Sequence, residues 1–125
     1  MKHLYYLASP ISHDEASVVQ QRLEAVVMLQ GQLLLAGVLA YCPHAHWNQA
    51  VAAVGTPSDW CFWKHPSFGM LDRCGALIVY RLPGWARSVG VQEELAYAMR
   101  FEKPVYFCEQ QQEVMLIEKL AQLEK

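Results

Sequence analysis

The sequence lacks any run of basic residues. Its 10 lysines and arginines are scattered among 12 acidic residues, and the formal net charge is −2 at pH 7. Proteins that bind duplex nucleic acid or anionic membranes usually concentrate positive charge in one patch or stripe. We therefore expect neither duplex nucleic acid nor a membrane as a partner of this chain.

Long hydrophobic runs are also missing. The most apolar region extends from Val26 to Tyr41, but glutamine and glycine interrupt it at positions 30 to 32. A membrane-spanning helix needs about 20 consecutive apolar residues. The segment from Met1 to Tyr6 has neither the apolar stretch nor the small-residue cleavage site of a signal peptide. These absences predict a cytoplasmic protein.

Closely spaced cysteine pairs are absent as well. The four cysteines are Cys42, Cys61, Cys74 and Cys108. No two of them form a Cys-x-x-Cys motif, and reduced thiols are the default in a chain that is not exported. We therefore expect all four to be reduced.

A metal site is the weaker of two interpretations for the segment after the second predicted strand. Cys42, His44 and His46 could act as ligands, but their spacing matches no common zinc site. A further ligand would have to come from Cys61 or His65. Loop histidines more often hydrogen-bond locally, so we predict no metal and no other cofactor.

Apolar residues are plentiful despite these absences. They make up 54% of the 125 residues, which is enough for the core of a single domain spanning residues 1 to 125. Four short apolar runs have the length and composition of buried strands. They are Leu4 to Ala8, Val38 to Cys42, Gly75 to Tyr80 and Val105 to Cys108.

Helical patterns lie between and after these strands. A capping box formed by Ser12 and Glu15 predicts the start of the first helix, which the glycine at position 37 ends. A later helix starts near Ser58, and Pro66 is expected to kink it or end it near His65. Further helices are predicted over residues 48–54, 68–74, 88–102 and 114–121.

This alternation of strands and helices is typical of an α/β fold built from βαβ units. We predict a Rossmann-like or flavodoxin-like three-layer sandwich with a mostly parallel sheet of four to five strands, in the order 2-1-3-4. Ligands bind such sheets beyond the carboxyl ends of the strands, where the order reverses. That point is flanked by the loops Ser9 to His13 and Arg81 to Ser88.

The second of these loops leads into a helix that carries three candidate site residues. Ser88 is suited to cap the helix, and Gly90 would let a ligand approach the backbone. Free amides at such a helix start favour a phosphate or carboxylate group. Helical phase places Glu93 in solvent and Glu94 on the flank of the apolar face, where its carboxylate can point toward the crevice. The structural alternatives are an ordinary capped helix and a solvated ion pair. The apolar face comprises Val91, Leu95, Ala98 and Met99.

Other candidates follow the first two strands or surround the predicted crevice. The candidates near the strand ends are Tyr6, Ser9, His13, His44 and His46. The tryptophans are Trp47, Trp60, Trp63 and Trp85. Trp85 belongs to the loop itself, so its ring is the one we expect to stack on a nucleobase.

Two motifs resemble those of the nucleoside 2-deoxyribosyltransferase family. Tyr6-Leu7-Ala8-Ser9-Pro10 is similar to the opening motif of that family. Ser88 to Ala98 is similar to its later motif, Ser/Asp-x-Gly-x-x-x-Glu-x-Gly-x-Ala, which the deoxynucleoside monophosphate N-glycosidases share. The chain as a whole resembles a bacterial and phage branch with Asp-Trp-x-Phe-Trp and Leu-Pro-Gly-Trp-x-x-Ser signatures, which begin here at Asp59 and Leu82.

The resemblance implies roles for the matching residues. Glu94 would be the nucleophile that attacks the anomeric carbon, and Tyr6 would position the nucleophile or the sugar. Ser88 and the amides near Gly90 would bind a 5′-hydroxyl or a 5′-phosphate. Further substrate contacts are expected from Ser9, Pro10 and Trp85.

The resemblance also implies that an acidic residue holds or protonates the departing base. Ser67 and Gly75 stand where the similar branch often carries acidic residues. Asp59 or Asp72 is then the candidate that holds the base or protonates it.

We therefore expect a nucleoside or nucleotide deoxyribosyltransferase or N-glycosidase that acts on a small molecule without a cofactor. A nucleotide-binding module without catalysis is the alternative, and a metal-binding protein is a weaker third. The many tryptophans and the irregular middle of the chain are compatible with a homo-oligomer, which we also expect.

Overall fold

Four parallel strands form the centre of the fold. The computed structural model describes residues 3 to 125. The strands are β1 (Leu4–Ala8), β2 (Leu39–Tyr41), β3 (Ala76–Arg81) and β4 (Val105–Glu109). The helices are α1 (Ala16–Leu35), α2 (Pro43–His46), α3 (Asn48–Val54), α4 (Trp60–Arg73), α5 (Val89–Arg100) and α6 (Glu113–Leu123), and a 3₁₀ turn covers Trp85–Arg87.

The strands lie in the order β2-β1-β3-β4, and all three pairings are parallel. This confirms the predicted α/β sandwich and its strand order, with four strands in the described part of the chain. In the central pair, Tyr5 lies opposite Ala76 and Ala8 lies opposite Val79. The carboxyl ends of β1 and β3 are therefore adjacent, and so are the loops that follow them.

The two faces of the sheet bury separate apolar clusters because alternate strand residues point to opposite sides. Tyr5 and Leu7 of β1 pack in a cluster with residues of α1 and α6. Tyr6 and Ala8 pack in a second cluster with residues of α4 and α5. Tyr6 thus faces the layer that contains Glu94.

The predicted start of the first helix is wrong. Helix α1 begins at Ala16, and its N-cap residue, Glu15, makes no side-chain capping bond. The Glu15 amide instead donates to His13 Nδ1 at 3.0 Å, and the Ser12 carbonyl accepts from Arg22 Nη1 at 2.8 Å. These contacts hold residues 12 to 15 outside the helix. The predicted end is confirmed, because Gly37 adopts a φ of +80° after the last turn.

The predicted break at Pro66 is also wrong. Helix α4 runs through this proline without interruption. Proline removes the hydrogen bond to the carbonyl of Phe62, four residues earlier. Phe62 is 41% exposed, so solvent can reach this part of the helix. The short helix α2, which starts at Pro43, has no counterpart among the sequence predictions.

None of the helices within residues 3 to 125 combines the length and the apolar character needed to cross a bilayer.

Candidate active site

A cavity of about 910 Å³ opens beyond the carboxyl ends of β1 and β3. Residues of both loops that the topology singles out line it, including Ser9, Pro10 and Ser88. Gly90 and Glu94 of α5 and Asp59 before α4 line it as well. The structure therefore brings most of the predicted site residues to one cavity.

Glu94 is more deeply buried than its predicted flank position implied. Its side chain lines the cavity, yet the residue is only 6% exposed. The buried residues of α5 are Val91, Glu94 and Ala98, whereas Met99 is 65% exposed. The apolar face of the helix is thus rotated toward Glu94 relative to the prediction. A carboxyl group in this position is separated from bulk solvent.

The neighbouring glutamate has the opposite environment. Glu93 pairs with Lys64 at 3.6 Å, and both side chains are about half exposed. The sequence prediction that Glu93 faces solvent and Glu94 faces the crevice is therefore correct in direction. The two acids form a natural comparison, since they differ in burial and share one helix.

Tyr6 holds the buried carboxyl group. Its hydroxyl donates a hydrogen bond to Glu94 Oε2, and the tyrosine is fully buried on β1. Burial raises the pKa of Glu94 from 4.5 to about 8, and the Tyr6 hydrogen bond opposes this shift. Burial, followed by the charge of Glu94, raises the pKa of Tyr6 far above its usual value. Tyr6 therefore keeps its proton over the whole physiological range and donates a hydrogen bond to Glu94.

Ser88 caps α5 as predicted. Its hydroxyl oxygen accepts from the Val91 amide at 3.3 Å, and its carbonyl accepts from the Gln92 amide at 3.0 Å. The earlier amides of the helix, those of Val89 and Gly90, have no acceptor within their own helix. Both residues line the cavity, so this helix start offers donors to an anionic or hydroxyl group.

Gly90 has a packing role that the sequence did not predict. A Cβ atom at this position would lie 3.2 Å from Cε3 of the Trp60 indole. The glycine therefore lets the indole of α4 approach the first turn of α5. Trp60 itself lines the cavity, and its Nε1 is buried without a hydrogen-bond partner in residues 3 to 125.

A second unpartnered polar group lies at the end of β1. Ser9 is 5% exposed and lines the cavity. Its hydroxyl is buried and has no hydrogen-bond partner in the described chain. Buried polar atoms are usually satisfied, so Ser9 and Trp60 are two groups that a ligand could satisfy.

Arg22 of α1 joins the two loops at the cavity. Its Nη1 donates to the Ser12 carbonyl at 2.8 Å and its Nη2 to the Pro83 carbonyl at 2.9 Å. Sequence reasoning missed this residue, because nothing near position 22 indicates a contact with residue 83. Arg87 adds a second positive charge to the same cavity lining.

The wall near α2 carries aromatic residues and a histidine. His44 and Trp63 line the cavity, with ring centroids 6.0 Å apart. Burial lowers the pKa of His44 to about 4, so this imidazole is neutral near pH 7. It can exchange hydrogen bonds with a ligand but carries no positive charge.

Ser67 is another lining residue that sequence reasoning did not place in the site. It lies on α4, is 3% exposed and lines the cavity. The buried series Ser67, Leu71 and Cys74 has helical spacing, and this periodicity is the signal that could have identified it.

Three predicted site residues lie outside the cavity lining, namely Trp85, Asp72 and Tyr6, the last of which contacts Glu94. Trp85 packs near Phe107, with ring centroids 6.2 Å apart, and beside the Arg81 guanidinium at 5.0 Å. Asp72 accepts a hydrogen bond from the Tyr97 hydroxyl on the outer side of α4 and α5. The indole packs near Phe107 of β4, and the carboxylate is bound by Tyr97, which does not line the cavity either.

No three histidine, cysteine, aspartate or glutamate side chains in residues 3 to 125 form a group that could hold a metal ion. Cys42 is buried, and burial raises its pKa to about 12. The same thiol interacts with the backbone at His44 and Ala45.

Comparison with known proteins places the chain in a family. No curated protein matches the sequence. The family model described as domain of unknown function DUF1937 matches residues 3–110, which include every residue that lines the cavity. Because this match covers well over half of the chain, the protein belongs to the DUF1937 family.

Proposed function

We propose that this protein cleaves the N-glycosidic bond of a deoxynucleoside or its 5′-monophosphate, or transfers the sugar to another base, with Glu94 as the nucleophile. The observation that carries the proposal is the buried Glu94 carboxyl group, which Tyr6 holds at a cavity beyond the sheet. The resemblance of the Tyr6 to Pro10 and Ser88 to Ala98 segments to nucleoside 2-deoxyribosyltransferases supports the same roles.

In the first step, a Glu94 oxygen bonds to the anomeric carbon as the bond from that carbon to the base nitrogen breaks. The base leaves with the electron pair of the broken bond and takes up a proton. Water, or the nitrogen of a second base, then displaces the glutamate and restores its carboxylate. A carboxylate suits this chemistry because it stabilises an oxocarbenium-like transition state and divides the barrier into two steps.

The opposite end of the substrate fits the start of α5. The amides of Val89 and Gly90 and the hydroxyl of Ser88 are donors suited to a 5′-hydroxyl or a 5′-phosphate. Arg87 supplies a positive charge nearby, which favours the phosphate.

The base would lie toward α4. Trp60 and Trp63 offer aromatic faces, and Asp59 is the one acidic candidate for base contact that lines the cavity. Asp72 does not line the cavity, and its carboxylate accepts a hydrogen bond from the Tyr97 hydroxyl. Of the two aspartates considered for the departing base, Asp59 is therefore the one we assign.

A nucleotide-binding module without catalysis is the second candidate. The observation in its favour is the raised pKa of Glu94, about 8, because a protonated carboxyl group is not a nucleophile. In an active enzyme, the rate of base release should consequently rise with pH up to about 8.

The proposal also covers the location, the partner and the oligomeric state of the protein. We propose a cytoplasmic location and a small-molecule nucleoside or nucleotide as the partner. We also propose a homo-oligomer, which light scattering of the purified protein would test by its molar mass.

The decisive experiment compares two neighbouring glutamates. The purified protein is incubated with deoxynucleosides and their 5′-monophosphates, with and without an acceptor base, and free base is quantified by chromatography. Glu94→Gln should lower turnover by at least about 10³-fold, since it removes the nucleophile. Glu93→Gln, which breaks only a surface ion pair, should retain wild-type turnover.

Each result has a clear meaning. Release of base that survives Glu94→Gln contradicts the assigned nucleophile. Strong thermal stabilisation by a nucleotide with no release of base at any pH favours the binding module. Neither stabilisation nor turnover across the panel contradicts both.

A further inference from the structure

Arg22 reaches the cavity from α1 and is held there by a backbone carbonyl of each loop. Its Nη1 donates to the Ser12 carbonyl at 2.8 Å, and its Nη2 donates to the Pro83 carbonyl at 2.9 Å. Because a guanidinium group is planar and rigid, bonds from both terminal nitrogens fix its position and its orientation. The loops after β1 and β3 thus hold a positive charge in the lining of the cavity.

The protein does not neutralise the charge of this guanidinium group. Both of its acceptors are uncharged carbonyl oxygens, and no carboxylate lies within ion-pair distance of Arg22 in residues 3 to 125. Two of its five N–H groups bind the loops, so the remaining ones are left for a ligand. A half-buried cation without a counter-ion attracts an anion that enters the cavity.

The turn after β3 leaves room for Arg22. Gly84 has a φ of +93°, and a Cβ atom there would lie 2.6 Å from Arg22 Nη2. A side chain at residue 84 would therefore displace the guanidinium group. Arg87, at the end of the same turn, also lines the cavity and has no ion pair among the described residues. Two unpaired positive charges thus lie beside this turn.

Ser9 is an independent indication of a ligand, and it belongs to the same loop as Ser12. It is 5% exposed and lines the cavity. Its hydroxyl is buried without a hydrogen-bond partner in the part of the chain that the structure describes. Since buried polar groups are usually satisfied, this hydroxyl is suited to donate to an oxygen atom of the ligand.

Positive and negative side chains reach the cavity from different elements. Arg22 and Arg87 come from α1 and from the turn after β3, whereas Glu94 lies on α5 and Asp59 precedes α4. A ligand with one anionic group and one uncharged, hydrogen-bonding part complements this division of charge. Among anions, a phosphate ester has three free oxygens, so it can accept from an arginine and from neighbouring donors at the same time.

We propose that Arg22 is a specificity-determining residue, whose guanidinium group binds a phosphate group of the ligand beside the loops after β1 and β3. The selection of a 5′-monophosphate over the free nucleoside rests on the proposed function, whereas the binding of phosphate by Arg22 does not. An arginine that only joined the two loops would support a charged and a neutral ligand equally.

Inorganic phosphate is the first probe. It is titrated into ¹⁵N-labelled protein at constant ionic strength, and the shifts of backbone amide signals give the Kd. Arg22→Gln should weaken phosphate binding about 10-fold, since a charge-assisted hydrogen bond is lost. The Nε–H signal of Arg22, assigned by its absence in Arg22→Lys, should also move when phosphate is added to the wild-type protein.

Arg73 supplies the matched control. Its Nη1 also donates to a backbone carbonyl, that of Gly69 at 2.7 Å, but Arg73 does not line the cavity. Arg73→Gln should therefore bind phosphate like the wild-type protein, and circular dichroism spectra establish that each variant is folded. The proposal is overturned if the wild-type protein does not bind phosphate, if the Arg22 signal stays in place, or if Arg22→Gln binds as tightly as wild type.

A second pair of probes separates recognition of phosphate from a structural role of Arg22. Calorimetry compares 2′-deoxyadenosine with its 5′-monophosphate. Arg22→Gln should weaken binding of the monophosphate about 10-fold and change binding of the nucleoside less than about 2-fold. Equal losses for both ligands overturn the proposal, because Arg22 would then only hold the loops. If neither compound binds and no base is released, the proposed function fails, and the phosphate titration alone decides the role of Arg22.

Discussion

At the scale of single residues, two adjacent glutamates of α5 have opposite environments. Glu93 lies at the surface beside Lys64, whereas Glu94 is buried against Tyr6. Helical periodicity separated them, because positions one residue apart on a helix differ by about 100° in direction. Periodicity could not show how deep Glu94 lies, since that depends on how close α5 packs to β1.

The burial of Glu94 makes stability depend on pH. Its pKa is about 8 in the folded protein and close to 4.5 in the unfolded chain, so the folded state binds the proton more tightly. The contribution of Glu94 is therefore most favourable below about pH 4.5 and is lost as the pH rises through 8. The free energy of unfolding should fall over this range by about 4 kcal/mol relative to Glu94→Gln.

Urea unfolding at pH 5, 7 and 9 measures this difference. The altered hydrogen bond between Tyr6 and residue 94 changes stability at every pH, so it does not affect the slope. Glu93→Gln should follow the pH dependence of the wild-type protein. A Glu94→Gln variant whose stability parallels wild type at all three pH values would show that Glu94 titrates normally.

At the scale of elements, local signals predicted the centres of helices and strands better than their limits. Ser88 caps α5 as its sequence indicated. Ser12 does not cap α1, which begins only at Ala16, and its carbonyl instead accepts from Arg22. Pro66 does not end α4. In both cases the local pattern alone predicted the wrong limit of the helix.

The turn between β3 and α5 depends on a glycine. Gly84 has a φ of +93°, and a Cβ atom there would lie 2.6 Å from Arg22 Nη2. Gly84→Ala should therefore lower the free energy of unfolding by about 1–2 kcal/mol. It should also displace Arg22, the residue that joins the two cavity loops.

Gly31 provides the matched comparison. It lies in the exposed part of α1, and a Cβ atom there would meet no atom within 4 Å. Gly31→Ala should raise the free energy of unfolding by about 0.5–1 kcal/mol, because alanine is the better helix former. Denaturant titration of both variants tests the pair, and equal effects would contradict the role assigned to the Gly84 turn.

At the scale of the whole molecule, the strand order was the most informative prediction. The order β2-β1-β3-β4 follows from consecutive βαβ units, and it located the cavity between β1 and β3. It could not identify Ser67 or Arg22, which reach the cavity from α4 and α1. Their positions depend on how each helix is rotated against the sheet, and that rotation is set by packing over the entire domain.

The two faces of the sheet bury different residues, and only one of these faces carries the candidate site. Ile78 is fully buried in the cluster that faces α1 and α6, whereas Tyr6 and Glu94 belong to the opposite face. Ile78→Val removes one buried methylene group, so it should lower the free energy of unfolding by about 1 kcal/mol. The titration midpoint of Glu94 should stay at its wild-type value, because the carboxyl group and its partners are not moved.

Leu35 serves as the control for the loss of apolar side-chain volume. It is 91% exposed at the end of α1, so Leu35→Ala should change stability by less than about 0.5 kcal/mol. Thermal unfolding measures the stability of both variants, and an NMR titration of ¹³C-labelled glutamate carboxyl groups measures the midpoint of Glu94. A shifted Glu94 midpoint in Ile78→Val would mean that the two faces are mechanically coupled through β3, and that the geometry of the site depends on the packing of the far layer.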